Sequence, residues 1–430
     1  FVLNGKTQEV EILTLEDCLR IGIDNNLSLE GKRKEIQKSK YGVSENRSKL
    51  LPQINAIAGY NNNFDPPVSV TDGSSYGVPY NITQTLQHSA NAGLEMQMPL
   101  FNQTLYTSMS IAKVMEEISR LSYGKAREDV ILQISKMYYL GQVTAEQIML
   151  IKANIIRLEE LRDITQAFFD NGMSMEVDLK RVNINLENLK VQYDNAQAMM
   201  KQQLNMLKYI MDYPAEKEIA LTPVNTDSIT TVALTGLSEN IYELQLSQSQ
   251  VQLAERQKKI ITNGYIPSLS LTGSWRYAAY TDKGYHWFHS GPSNQWFRSY
   301  GVGLTLRIPI FDGLDKTYKI KKAMIDIENK RLAWEDARKN LQTQYLNAVN
   351  DLMNNQRNFK KQKDNYLLAE DVYAVTSDRY REGIASMTEV LQDEMQMSEA
   401  QNNYISAHYN YRVTNLMLLK LTGQIESLVK

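Results

Sequence analysis

Few residues in this 430-residue sequence have the types and spacing that chemistry needs. Its histidines are His88, His286, His289 and His408, and only His286-x-x-His289 is closely spaced. Two such imidazoles could begin a zinc site, but no cysteine stands near and carboxylate support is limited to Asp282. That pair therefore reads as surface loop histidines. No nucleophile is patterned with a base, so a hydrolase or other enzyme has no residue-level support. The single cysteine, Cys18, excludes an internal disulfide, and in Leu15-Glu16-Asp17-Cys18-Leu19, behind the candidate cap Thr14, it reads as a small buried thiol. What remains is the chemistry of helix ends. Gly172 and Gly383 suit the left-handed conformation that terminates a helix, and Asp178 and Glu389 each follow their glycine by six residues. Ser386-Met387-Thr388-Glu389 has the spacing of a capping box, in which serine and glutamate satisfy each other's backbone amides.

Those ends belong to long helices fed by strands. In Tyr300, Val302, Leu304, Leu306 and Ile308 every second residue is apolar, and Gly301, Gly303, Thr305 and Arg307 between them are small or polar. Pro309 stops the ladder for want of an N–H, and Asp312 is placed to cap a following helix. Ile320, Ile327, Trp334, Leu341 and Ala348 form one seven-residue row, and Tyr345, Leu352, Phe359, Tyr366, Tyr373 and Tyr380 a second, so the helix has packing partners on both flanks. About seventy residues at 1.5 Å each make a rod on the order of 100 Å. The same alternation recurs in Ile54, Ala56, Ala58 and Tyr60, in Ala90, Ala92, Leu94, Met96 and Met98, and in Leu269, Leu271, Trp275 and Tyr277. Residues 14–50 read as helix interrupted by Gly31 and Gly42, and 61–87 as an irregular loop rich in proline and glycine. Tyr280, Tyr285, Trp287, Trp296 and Phe297 read as loop aromatics.

The halves repeat. Pro99 matches Pro309, Gly172 matches Gly383, and Asn205-Met206-Leu207 matches Asn415-Leu416-Met417, all about 210 residues apart. The first repeat is expected over 1–212, with strands at 52–62 and 88–98, a long helix at 102–170 and a return helix at 174–211. A connector at 213–236 follows. The second repeat covers 237–423, with strands at 267–278 and 299–308 and helices at 312–382 and 386–421, and 424–430 form a tail.

A net charge of −2 gives no electrostatic case for nucleic acid. No apolar run reaches the roughly eighteen residues of a transmembrane helix, so entry into a membrane requires a closed β-barrel. No signal peptide is visible, and a mature or trimmed chain is expected. Four strands cannot close, since about eight make the smallest barrel, and several copies must share one. Apolar residues then face lipid and Asn, Gln, Ser, Thr, Gly and Arg a wet lumen, with Tyr60, Trp275, Tyr277 and Tyr300 as an interfacial girdle. The competing reading is a non-channel soluble helical scaffold or adaptor protein with a small β cap.

The ordered motifs resemble the TolC-like outer-membrane efflux proteins. They are Leu13-Thr14-Leu15-Glu16-Asp17 with Asn25-Asn26-Leu27, Leu51-Pro52-Gln53-Ile54, Met98-Pro99-Leu100-Phe101 and Ile308-Pro309-Ile310-Phe311-Asp312-Gly313. Tyr380-Arg381-Glu382-Gly383 with Glu389-Val390-Leu391, and Leu418-Leu419-Lys420-Leu421-Thr422-Gly423, complete the set. The resemblance implies a mainly α fold with a membrane β-barrel: a homotrimer with a twelve-stranded barrel in the outer membrane of a Gram-negative bacterium, continued by an α-helical barrel in the periplasm. It also implies a passive exit duct without cofactors, a periplasmic adaptor, and an inner-membrane RND or ABC transporter for efflux or type I secretion. Hinges are then Pro99 and Pro309, and docking tips Asn171, Gly172, Glu382, Gly383 and Ser386. The entrance is assigned to Tyr380, Arg381, Asp178 and Glu389, the last facing either the pore or its own cap. Ala385 and Gln392 stand where some members carry an arginine and a second acid, so a different set of contacts is expected to close this entrance.

Overall fold

The computed structural model describes residues 10–66, 68–72, 74, 77, 79, 81–84, 86–223, 236–281 and 296–429. Asp282, Tyr285, His286, Trp287 and His289 lie outside them. The chain divides into two compact units, one of residues 1–36, 119–248 and 332–430, the other of 37–118 and 249–331.

In the first unit, β1 (Glu11–Leu13) pairs in parallel with β6 (Ile219–Leu221). The connector expected at 213–236 thus holds a strand. Tyr138 donates its hydroxyl to the Leu13 carbonyl at 3.2 Å, and Gln142 Nε2 donates to the Thr222 carbonyl at 2.7 Å, fixing this small sheet to a long helix. Helix α1 (Leu15–Asn25) starts with a reciprocal box between Thr14 and Asp17. The break before α2 (Leu27–Ser48) falls at Asn26, and Gly31 and Gly42, expected to interrupt the helix, are helical. Asn26 makes the break because its side chain accepts the Leu29 amide at 3.1 Å and donates to the Ile210 carbonyl at 2.7 Å, ending one helix and capping the next. The largest helices are α3 (Gln103–Asp170) and α6 (Asp315–Arg381), which return as α4 (Glu176–Met211) and α7 (Met387–Leu421). Cys18, Leu19, Ile131, Ile134, Leu207 and Met211 form one core. Leu158, Leu186, Tyr373, Val390 and Met397 belong to a second, which also takes Tyr380.

In the second unit, β2 (Gln53–Asn62), β5 (His88–Phe101), β7 (Ser268–Thr281) and β8 (Trp296–Arg307) form an antiparallel sheet in that order. A hairpin of β3 (Val68–Thr71) and β4 (Asn81–Gln84) lies in the stretch expected to be irregular. Tyr280, Trp296 and Phe297, expected in a loop, are strand residues. The two hinge prolines differ. Pro99 stays in β5 opposite Ser270, with a register shift between it and Phe101, so its missing N–H is absorbed by an irregularity and the strand continues. Pro309 lies beyond the end of β8. Asn102 Oδ1 then accepts the Thr104 and Leu105 amides at the start of α3. At α6 the cap is displaced: Gly313 and Leu314 both have positive φ, and Asp312 Oδ2 accepts the Lys316 amide at 3.2 Å. Helix α5 (Tyr242–Asn263) ends with Asn263 Nδ2 donating to Thr107 Oγ1 at 2.6 Å.

Candidate functional site

Strand register gives the four-stranded sheet two chemically distinct faces. Ile54, Met96 and Val302 fall in one row with Gly273, then Ala56, Leu94, Trp275 and Tyr300, then Ala58, Ala92 and Tyr277 with Arg298. The opposite parity carries Gln53, Gln97, Thr272 and Gly303, then Asn55, Glu95, Ser274 and Gly301. Because side chains alternate with period two, one register places these apolar rows on one side and these polar rows on the other. On the polar side Arg276 Nη2 pairs with Glu95 Oε1 at 2.5 Å. Gly93 makes that pair possible, since a Cβ there would lie 2.8 Å from the Arg276 Cα and also meet the Trp275 carbonyl. On the apolar side Tyr300 is 77 % and Val302 79 % exposed within the single chain. Among the described residues β2 pairs only with β5 and β8 only with β7, leaving two free edges.

The second group of candidates lies at the helical hairpin tips. Gly172 and Gly383 have φ of +73° and +75°. Each tip closes with paired bonds from the glycine N–H and the next N–H: Gly172 to Phe169 and Met173 to Phe168, Gly383 to Tyr380 and Ile384 to Arg379. Asn171 adds a side-chain bond to the Ala167 carbonyl at 2.7 Å, and the Glu382 amide bonds Asp378. After the tips the hairpins differ. Ser386 caps α7, its amide donating to Glu389 Oε2 at 2.7 Å and its hydroxyl accepting the Glu389 amide at 3.3 Å. These Ser386 bonds hold the Glu389 carboxyl below the usual carboxylate range. Met175 stands at the equivalent position of α4 and has no capping side chain, so Asp178 turns to Arg181, 3.3 Å away.

Near the tips, Tyr380, Arg381 and Arg181 join the hairpins. Tyr380 is buried, its ring 5.6 Å from that of Phe168, and donates its hydroxyl to Thr165 Oγ1 at 3.3 Å. Arg381 reaches Glu160 at 3.6 Å as well as Asp378 at 3.4 Å. Arg181 donates to Thr388 Oγ1 at 3.4 Å. A cleft of about 430 Å³ opens between the tips, bordered by Asp178, Arg181, Tyr380, Arg381 and Ser386. The structure thus brings Tyr380, Arg381 and Asp178 to one cleft and leaves Glu389 on its cap. Arg181 was missed, although Asp178-x-x-Arg181 has the i,i+3 spacing of a helical ion pair.

A buried polar network lies elsewhere in the first unit. His408, within the expected return helix, is fully buried on α7; in the second unit His88 is buried on β5 beside the Tyr60 hydroxyl. Arg412 Nε donates to His408 Nε2 at 2.9 Å, which leaves Nδ1 as the protonated nitrogen, 3.4 Å from Glu146 Oε2. Burial works against ionised Glu146, but hydrogen bonds from His408 and Tyr404 carry its carboxyl below the ordinary value. Further along, Asn154 and Gln401 bond at 2.7 Å and Arg157 reaches Glu370 at 3.2 Å. These side chains tie α3 to α6 and α7. Among the described residues no group of three His, Cys, Asp or Glu side chains is placed to hold a metal, and no helix is long and apolar enough to cross a membrane.

A family model described as "Outer membrane efflux protein" matches residues 21–211 and 233–424. The outer membrane protein TolC of Vibrio cholerae serotype O1 is 21 % identical over 399 residues, covering 89 % of this chain and 84 % of that protein. The probable efflux pump outer membrane protein TtgC of Pseudomonas putida is 23 % identical over 379 residues, covering 83 % and 75 %. The crystal structure of the outer membrane protein VceC from Vibrio cholerae superposes with a TM-score of 0.75 at 14 % identity, covering 95 % of this chain and 96 % of that one, a likeness of fold.

Proposed function

The chain belongs to the outer membrane efflux protein family, and on that premise we propose that it is the passive exit duct of a tripartite efflux system in the outer membrane of a Gram-negative bacterium. The observation that carries this reading is the two-faced sheet with free edges at β2 and β8. Unpaired strand edges are costly in lipid, and four strands cannot close on themselves. Three copies therefore contribute twelve strands to one barrel, β8 of each pairing with β2 of the next. The apolar rows meet lipid, and Asn55, Glu95, Ser274 and Arg276 line a water-filled lumen. Each copy is a duplicated helix, strand, strand, long helix, return helix unit, and the helices continue the duct as a barrel in the periplasm.

At the far end of that barrel the tips around Asn171-Gly172 and Glu382-Gly383, with Ser386, dock a periplasmic adaptor, which couples the duct to an inner-membrane RND or ABC transporter. Tyr380, Arg381 and Asp178 restrict the entrance, and Glu389 serves its helix cap. The efflux-pump name of the Pseudomonas relative supports small molecules as cargo ahead of proteins.

The test is conductance of the detergent-purified protein in a planar bilayer, with particle mass measured on the same preparation. Discrete, cation-preferring channels from a particle of three chains are expected. A monomer that stays soluble without detergent and conducts nothing would overturn the duct in favour of a soluble scaffold.

A further inference from the structure

At the end of the sheet where β5 and β8 leave it and β2 and β7 enter, every connection exposes an apolar side chain: Leu51, Phe101, Ile266 and Ile310. Ile308 and Ile310 continue the sequence alternation of Leu304 and Leu306 beyond the last paired residue, Arg307, and both are exposed. Ile310 is 93 % and Phe311 81 % exposed. Helices α5 and α6 adjoin this edge, and three acids on or beside them, Asp312, Asp315 and Glu255, are already engaged. Lys316 takes Asp312 at 2.9 Å, Lys319 takes Asp315 at 2.7 Å, and Arg331 takes Glu255 at 2.8 Å. Lys258, Lys259, Lys321 and Lys322 have no carboxylate within ion-pair distance among the described residues. Three of them, Lys258, Lys259 and Lys321, border a groove of about 1040 Å³ between α5 and α6, with Met324 and Ile325 supplying apolar wall and Glu328 as its one remaining unpaired acid. Local positive charge in a chain of net −2 is a matter of placement, not composition.

We propose that this sheet–helix junction is a docking surface for the anionic headgroups of phospholipids in the inner leaflet of the outer membrane, Ile310 and Phe311 entering the leaflet while Lys258, Lys259, Lys321 and Lys322 hold the headgroups. The inference rests on the lipid-facing assignment of the sheet. Two features select the occupant. The surface is continuous with the apolar face, so whatever lies against it extends from the bilayer. Its lysines sit within about two helical turns, roughly 10 Å, of the helix ends from which the chain enters or leaves the sheet, on the side of the headgroup layer beyond the hydrocarbon. A basic side chain at an anionic membrane surface adds about fivefold to association, an effect that fades within a Debye length.

The test reconstitutes the full chain in vesicles of phosphatidylethanolamine with a minor fraction of phosphatidylglycerol and spin-labelled lipid of either headgroup, and reads the motionally restricted fraction of each. Wild type should prefer phosphatidylglycerol about fivefold or more at low salt, losing the preference as salt rises. The combined Lys258→Gln, Lys259→Gln, Lys321→Gln, Lys322→Gln variant should show no preference. A control with Lys360→Gln, Lys361→Gln and Lys363→Gln, in the other unit, should keep it. Equal preference in wild type and the quadruple variant, or restriction of both lipids without preference, overturns the docking surface alone. A change of particle mass with lipid selectivity intact assigns the lysines to contact between copies and also overturns it. No restricted lipid of either kind overturns the membrane assignment beneath it.

Discussion

If the entrance opens by parting the tips of the α6–α7 and α3–α4 hairpins, the contacts made there by Tyr380, Arg381 and Arg181 must break, and the sum of those removed by substitution sets the shift in the equilibrium. Tyr380→Phe removes the hydroxyl bond to Thr165 and keeps the ring against Phe168, a loss of about 1 kcal/mol for a buried neutral bond. Arg381→Ala removes the pair with Glu160, whose side chains are 47 % and 61 % exposed, so about 0.5 kcal/mol is the appropriate figure. Arg181→Ala removes the bond to Thr388, again about 0.5 kcal/mol for an exposed contact. Together they amount to about 2 kcal/mol, a shift of roughly thirtyfold toward the open form. The assay is open probability of single channels in a planar bilayer, each variant's mass and melting checked in the same preparation. Tyr380→Phe alone should raise opening about fivefold. Glu389→Gln, which weakens only the cap of α7, should leave opening near wild type. A triple variant that conducts like wild type would refute the latch, and a Glu389→Gln channel as open as the triple variant would refute the separation of cap from latch.

Other consequences follow from buried and crowded positions. Glu128 is buried while the nearby cations serve other acids, Lys420 with Asp129, Arg127 with Glu426 and Lys125 with Glu243; burial therefore pushes its carboxyl up to about 7 from 4.5. The native state then holds a proton that the unfolded chain releases, so stability falls as pH rises from 4.5 to about 7, by about 3 kcal/mol. Glu128→Gln should raise the melting temperature at pH 8 and flatten its pH dependence, and an unchanged melting profile would show the carboxylate to be solvated. Gly93→Ala should impair insertion and particle assembly while leaving helix content intact, because its methyl meets strand backbone at Trp275 and Arg276; normal heat-resistant particles would contradict the packing. The Cys18 thiol is buried and pushed up to about 12 by that burial. Maleimide at neutral pH should label it only after denaturation, which mass spectrometry of native and unfolded samples will decide.

How much of this was legible in the sequence depended on whether the determining contact was local. The alternation through Leu269, Leu271, Trp275 and Tyr277 declares a strand because one face of the sheet is apolar and the other polar, and β7 occupies Ser268–Thr281. The seven-residue rows through Leu341 and Tyr373 declare a helix packed along its length, and both residues are buried on α6. By contrast, β1 and β6 are three residues each and pair across some two hundred positions, leaving no period to read. Pro99 is a strong local stop signal that the irregularity before Phe101 overrules. The burial of His408 was not legible because what keeps a histidine inside, Glu146 from α3 with Tyr404 and Arg412, is assembled only by folding.

The tips show why equal spacing does not mean equal chemistry. Asp178 and Glu389 stand at the same offset from glycines of nearly the same backbone angle, so sequence spacing alone assigns them one role. The residue three positions earlier separates them. Ser386 offers a hydroxyl that accepts the Glu389 amide, and the carboxylate returns the bond to the Ser386 amide. Met175 offers neither donor nor acceptor in its side chain, so Asp178 is left to pair with Arg181, whose guanidinium also spans to Thr388 on the other hairpin. Exchanging the two caps should exchange the roles. Met175→Ser with Asp178→Glu supplies a box on α4 and takes the carboxylate from Arg181, whereas Ser386→Met frees Glu389 toward the neighbouring arginines. The first change should loosen Arg181 and raise opening modestly, and the second should cost about 1 kcal/mol of helix stability while adding a mobile carboxylate and stronger cation preference at the entrance. If reversal potentials in asymmetric salt stay the same in both variants, the acids at the tips do not face the conducting path.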